Sequence, residues 1–152
     1  MAEVIKFLGN EAFVQAFEST RGLKVGYQAE FTGQMLEVTL GPGMLSKNYD
    51  GLQNDLNKMK GIFLKAGDYT FPLNENKEWN FKPLASEGDM VKAGDWLGEV
   101  KENWINHKIM VPFKHNDRYT IKSITKEGKY KINDTIAQLV DEKGNETTMT
   151  MV

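Results

Sequence analysis

Apolar and polar positions alternate at period two along much of this chain, which is the pattern of strands that bury one face. The runs 4–8 and 12–17 flank Gly9-Asn10, a pair that tolerates the positive φ of a tight turn, and together they predict a β-hairpin. Residues 29–32 and 36–40 alternate in the same way and predict two further half-buried strands, the material of a barrel or sandwich. Between these runs, Glu18 and Arg21 read as a solvated loop pair, because exposed ion pairs contribute little. The period then changes. Leu45, Tyr49, Leu52, Leu56 and Met59 recur at spacings of 4, 3, 4 and 3, which places them on one face of a short amphipathic helix. Gly51 inside that stripe costs about 1 kcal/mol relative to alanine, so the helix is expected to break into two turns around it.

From Gly67 onward the pattern is that of strands again. Gly67-Asp68 opens the segment 69–73, and Trp79 and Phe81, two residues apart, share one face of a strand. Gly88-Asp89 and Gly94-Asp95 form two turn signals in close succession, in which glycine supplies the positive φ and aspartate accepts hydrogen bonds from the turn backbone. A strand over 119–124 follows. The reading is a mainly β chain in three parts: strands of a partial N-terminal β-barrel over 1–40, a connector with a short helix over 41–66, and a second β unit over 67–152.

Composition narrows the range of functions. A chain of 152 residues can bury about two-thirds of its unfolded surface and needs no staples. Its 19 basic and 21 acidic residues are interspersed, for a net charge of −2, which leaves no electrostatic footprint for nucleic acid or an anionic membrane. No apolar run reaches the length of a membrane span, and Glu3, Glu11 and Glu18 argue against a signal peptide, so a cytoplasmic location is expected. The absence of cysteine excludes disulfides, thiol catalysis and cysteine-ligated zinc.

The chemistry-bearing residues form no recognisable catalytic constellation. The single Gly-Lys pair, Gly128-Lys129, is followed by Tyr130, and Ser123 stands where a phosphate loop needs its first glycine, so no nucleotide cradle is encoded. His107 and His115, with Asp117 as an oxygen donor, are too few for a recognisable metal spacing, and they read as structural or solvated. The carboxylate pairs Glu87/Asp89 and Asp134/Asp141 read as turn and surface residues rather than an acid and base. Trp79, Trp96 and Trp104 lie among β residues, where packing is the ordinary use, with Trp104 set apart at an expected hairpin tip.

Two resemblances follow from specific motifs. The stretch 87–100, with its paired Gly-Asp turns, and Val111-Pro112 resemble the barrel-sandwich hybrid of biotinyl and lipoyl carrier domains. That likeness implies a modifiable lysine at the hairpin tip, but Trp104 occupies the expected position, with Lys101 and Lys108 on either side. The segment Gly41-Pro42-Gly43-Met44-Leu45, followed by Asp50-Gly51-Leu52-Gln53, resembles the catalytic A subunit of vacuolar-type and archaeal-type rotary ATPases. The run 106–112 (Asn-His-Lys-Ile-Met-Val-Pro) and the loop 18–23 match the same family, and the likeness extends in order to the end of the chain.

This second resemblance implies a remainder of the N-terminal barrel joined to the protruding insertion, or bulge, of that subunit. The parent it implies is an ion-transporting ATPase or ATP synthase using ATP and Mg²⁺, whereas these residues carry no catalytic, cofactor or metal site of their own. Expected partners are the B subunit and the peripheral stalk, in a complex attached peripherally to the membrane. Trp104, with Asn103, Ile105 and Asn106, offers an aromatic anchor in a polar surround and is the expected stalk contact.

Overall fold

A computed structural model describes residues 1–152 except 34, 60–66, 68 and 116. It is built from antiparallel strands. The first two, β1 (Ala2–Leu8) and β2 (Glu11–Ala16), form the expected hairpin, paired from Ala2↔Ala16 to Leu8↔Glu11. Gly9 takes φ +59° while Asn10 stays out of the left-handed region, as in a two-residue turn led by glycine. A bulge between Val4 and Lys6 shifts the register, and Phe7, Phe13 and Val14 remain exposed.

The strands expected at 29–32 and 36–40 are absent. Neither segment is a regular strand among the described residues, and Phe31, Leu36, Val38 and Leu40 are exposed. Alternation specifies a strand only where a neighbouring strand and a core take up its two requirements, and the apolar side chains of these segments stay exposed. Among the described residues the connector helix does not form either. Residues 45–59 fold as a series of turns with one isolated bridge, Tyr49↔Asp55. Its cause is local competition, because the Asp50 carboxylate accepts the N–H groups of Leu52 and Asn54 at 2.9 and 2.8 Å and so diverts donors a helix would use. Ser46 and Gln53 adopt φ of 63° and 61°, which no α-helix accommodates. The end of the expected connector, 60–66, and Asp68 of the Gly67-Asp68 turn lie outside the described residues; 69–73 carries no regular strand, although Leu73 is buried.

The remaining strands form two four-stranded antiparallel sheets. One places β3 (Glu78–Pro83) between β5 (Trp96–Glu102) and β8 (Gly128–Lys131), with β6 (Ile105–Met110) at the outer side of β5. The other runs β10 (Glu146–Met149), β9 (Ala137–Asp141), β7 (Tyr119–Ile124) and β4 (Met90–Val91). Trp79 and Phe81 from β3 are buried, as their spacing predicts, with Leu97, Val100, Ile109, Ile121 and Leu139 in the same core. Both Gly-Asp turns form as expected. Gly88 and Gly94 take φ of 90° and 86°, and Asp89 and Asp95 accept the N–H groups of Ser86 and Lys92.

One register shift decides the fate of a tryptophan. Gly98, Val100 and Glu102 share the inward parity of β5, and uninterrupted alternation would place Trp96 with them. A bulge between Trp96 and Gly98 admits Leu97 to the core instead and turns Trp96 out, 56% exposed, beneath the Lys108 ammonium at 4.9 Å.

Candidate functional site

The segment 41–55 is a hub that ties the extended N-terminal part to the two-sheet unit. Gly41 passes so close to the end of the chain that a Cβ there would lie 3.0 Å from the Val152 side chain and 3.1 Å from both Leu73 and the Met151 carbonyl. Pro42 is fully buried, and Gly43 turns the chain at φ +106°. The three residues of the Gly-Pro-Gly corner thus supply, in order, close approach, burial and a left-handed turn.

The polar residues that follow act as hydrogen-bond arms. The Gln53 amide accepts the Thr39 N–H at 2.7 Å and donates to its carbonyl at 2.6 Å, imitating a strand neighbour for the extended segment 36–40. Asn54 and Asp55 hold Thr70, through its N–H to Asn54 Oδ1 and through the Asp55 N–H to Thr70 Oγ1, each at 2.8 Å. Tyr49 donates to the Pro72 carbonyl at 3.0 Å. The Asp55 side chain is wholly buried and takes a 3.1 Å ion pair from Lys47. Burial alone would raise the Asp55 carboxyl, but hydrogen bonds from Lys47 and the Asn57 N–H outweigh it and hold the group below the ordinary aspartate range. Burial opposes ionisation of Asp50 in the same way, and its three donors from Asn54 and Leu52 overcome that effect and lower it.

A second buried carboxylate connects this hub to the end of a hairpin. Glu102, 3% exposed at the end of β5, accepts the Gly43 N–H at 2.8 Å and the Leu45 N–H at 3.0 Å on one oxygen, and His107 Nδ1 lies 2.9 Å from the other. Beyond it the chain reverses over Asn103 and Trp104, with Glu102 opposite Ile105. Asn103 takes φ +54° and its amide reaches Ser46 Oγ at 3.5 Å. Trp104 stands out from the turn, 79% exposed, and Asn103, Ile105 and Asn106 are exposed around it. The four residues singled out in the sequence therefore share one projecting tip. Glu102 was not among them. A glutamate preceding an Asn-Trp turn gives no signal of its own, since its two backbone donors lie 57 and 59 residues away in sequence.

The other chemical candidates are dispersed. His107 is engaged by Glu102, and His115 packs edge-on against Tyr119 at 5.7 Å, where burial and the adjacent Lys114 depress its imidazole. Among the described residues no group of three or more His, Cys, Asp or Glu side chains is arranged to hold a metal ion. Asp89 and Asp134 each accept a turn N–H, and Asp141 accepts those of Lys143 and Asn145. Lys101 and Lys108 lie within strands rather than at the tip, and Lys108 is paired with Glu99, whose carboxyl that hydrogen bond lowers. Glu18 departs from the solvated pair expected of it, accepting Tyr69 Oη–H at 2.7 Å and the Gly67 N–H at 3.1 Å. No described helix is long and apolar enough to cross a membrane.

Comparison with known proteins matches residues 70–152 to the ATP synthase alpha/beta subunit barrel-sandwich domain and residues 1–33 to the beta-barrel domain of the ATP synthase alpha/beta family. The chain is 47% identical to the V-type ATP synthase alpha chain of Borrelia garinii subsp. bavariensis, over 99% of its own length and 27% of that protein's. Against the V-type ATP synthase alpha chain of Treponema denticola the identity is also 47%, over 99% of this chain and 26% of the relative. The chain thus spans about a quarter of the length of the curated relatives it matches.

Proposed function

The chain belongs to the ATP synthase alpha/beta family, and from that premise we propose that it is a non-catalytic portion of the alpha chain of a V-type rotary ATPase, with a mechanical role. Its two-sheet unit is the part that meets the peripheral stalk and helps to resist the torque of rotation. The observation that carries this reading is the Trp104 tip: an aromatic side chain 79% exposed, flanked by exposed Asn103, Ile105 and Asn106, on a two-residue turn whose base is pinned by a buried carboxylate. A rigidly mounted aromatic in a polar surround is the composition of an interface hot spot, with little side-chain entropy to lose on binding. ATP and Mg²⁺ belong to other parts of the parent subunit, because these residues contain no phosphate loop. The B subunit is the expected neighbour in the assembly, which would lie on the cytoplasmic face, peripheral to the membrane.

Association with purified peripheral-stalk subunits tests the assignment. Trp104→Ala should weaken it by about thirtyfold, the loss of a hot spot of about 2 kcal/mol, while the unfolding free energy from urea titration stays within about 0.5 kcal/mol of wild type, as for an exposed position. Unchanged affinity would refute the stalk contact at this face. A carrier role is disfavoured by the same geometry, since the tip holds Asn103-Trp104 and no lysine. Intact mass from a biotinylating or lipoylating host should show no added group.

A further inference from the structure

The Glu102 carboxylate is almost fully buried and spends both oxygens on contacts within the hub and the hairpin. A buried carboxylate is retained without penalty only when its lone pairs are filled. Here the partners are two backbone N–H donors of the Gly43–Leu45 corner and the His107 ring on the facing strand. The corner is shaped to receive it. Gly43 at φ +106° and the intervening turn bring alternate N–H groups to bear on one oxygen, a small backbone nest whose resident anion is a side chain of the same protein.

Further polar contacts join the same elements. Asn103, next to Glu102 and at the start of the tip turn, reaches Ser46 on the connector, so both sides of the corner touch the hairpin end. From the corner, Lys47 passes to buried Asp55, and Gln53 in the same hub grips the Thr39 backbone. Among the described residues, Glu102 is the main polar link between tip and connector, supplemented by the long Asn103–Ser46 bond.

We propose that Glu102 is a positioning latch that makes the Asn103–Trp104 tip and the Gly43–Leu45 corner move as one unit, so that a load applied at the tip is delivered to the connector. Its use in the assembly rests on the stalk-contact reading above, whereas the latch itself is present in the free chain. Coupling through such a link is reciprocal: whatever loosens the corner must be felt at the tip, and the reverse.

Amide hydrogen exchange and chemical shifts of the intact 152-residue chain read the latch directly. Glu102→Ala should speed exchange at Gly43 and Leu45 by on the order of tenfold to a hundredfold, the equivalent of a charge-assisted hydrogen bond. It should also shift the Asn103 and Trp104 resonances, while Ile121 and Leu139 in the opposite sheet keep wild-type exchange. Glu102→Gln, which retains an acceptor oxygen, should restore most of the protection. From the other side, Leu45→Pro removes one of the two corner donors, and its effect should appear at Asn103 and Trp104. The latch is refuted by unchanged exchange at Gly43 and Leu45, or by a uniform loss of protection throughout the domain, which marks a general stabiliser. Should Glu102→Ala not fold, Leu45→Pro decides alone, and silence at the tip refutes the proposal. A latch that responds as expected while Trp104→Ala leaves stalk affinity unchanged would overturn only the stalk reading.

Discussion

Gly98→Ala adds a single methyl group where the two-sheet unit has no room for it. Gly98 lies in β5 opposite Pro83 on one side and Ile109 on the other. A Cβ there would sit 2.3 and 2.4 Å from two Phe81 ring carbons and 2.8 Å from the Lys82 carbonyl oxygen. Carbon atoms rest comfortably at about 3.5–4.0 Å, so the ring would have to retreat by more than about 1 Å. It has nowhere to go. Phe81 is fully buried and is braced edge-on by Tyr130 at 6.2 Å between centroids. The carbonyl oxygen belongs to the strand backbone and cannot rotate aside as a side chain can. Overpacking in a dense core costs about 1–3 kcal/mol and occasionally more, and with both ring and backbone obstructed the upper end, about 3 kcal/mol, is expected. For a chain of this size that lowers the melting temperature by about 6–12 °C. Urea unfolding followed by tryptophan fluorescence measures it, with buried Trp79 as the reporter of this core. Phe81→Leu vacates part of the contested space, so the double variant should be less destabilised than the sum of the singles by about 1 kcal/mol or more. A Gly98→Ala variant within about 0.5 kcal/mol of wild type, or strict additivity in the double variant, would refute the packing described for β3 and β5.

Acid should act on the hub. The Asp55 carboxyl is held below its ordinary value, so the stability it contributes is complete above the unfolded value of about 3.9 and is lost as pH falls through the lower folded value. Asp55→Asn should therefore flatten the fall of the urea midpoint below about pH 4, and an unaltered profile would show that the Lys47 pair does not control it. Asp50, lowered against burial by its bonds from Asn54 and Leu52, titrates in the same direction, so some acid sensitivity should survive in that variant. Calorimetric titration with Mg-ATP should give no saturable signal, since no backbone cradle with its lysine and hydroxyl is encoded; one-to-one binding at micromolar concentration would contradict it.

Local information in the sequence determined the elements whose causes are themselves local. Gly9-Asn10 between apolar runs defined the first hairpin, the paired Gly-Asp turns reversed the chain where their backbone chemistry requires, and the spacing of Trp79 and Phe81 placed both on the buried face of β3. The tip residues were legible for the same reason, as a turn between two strands. Periodicity misled where it was the only signal. At 45–59 the apolar spacing of a helix was overridden by Asp50 capturing nearby N–H groups, and at 29–32 and 36–40 alternation produced no regular strand among the described residues.

Tertiary structure alone decided the rest. A single bulge reversed the phase of β5 and exposed Trp96, and Glu102 found its backbone donors only when the Gly-Pro-Gly corner was folded against the hairpin. Side-chain parity and buried-carboxylate pairing depend on which backbones meet. Residues as far apart in sequence as Gly43 and Glu102 carry no mark of that meeting until the chain has folded.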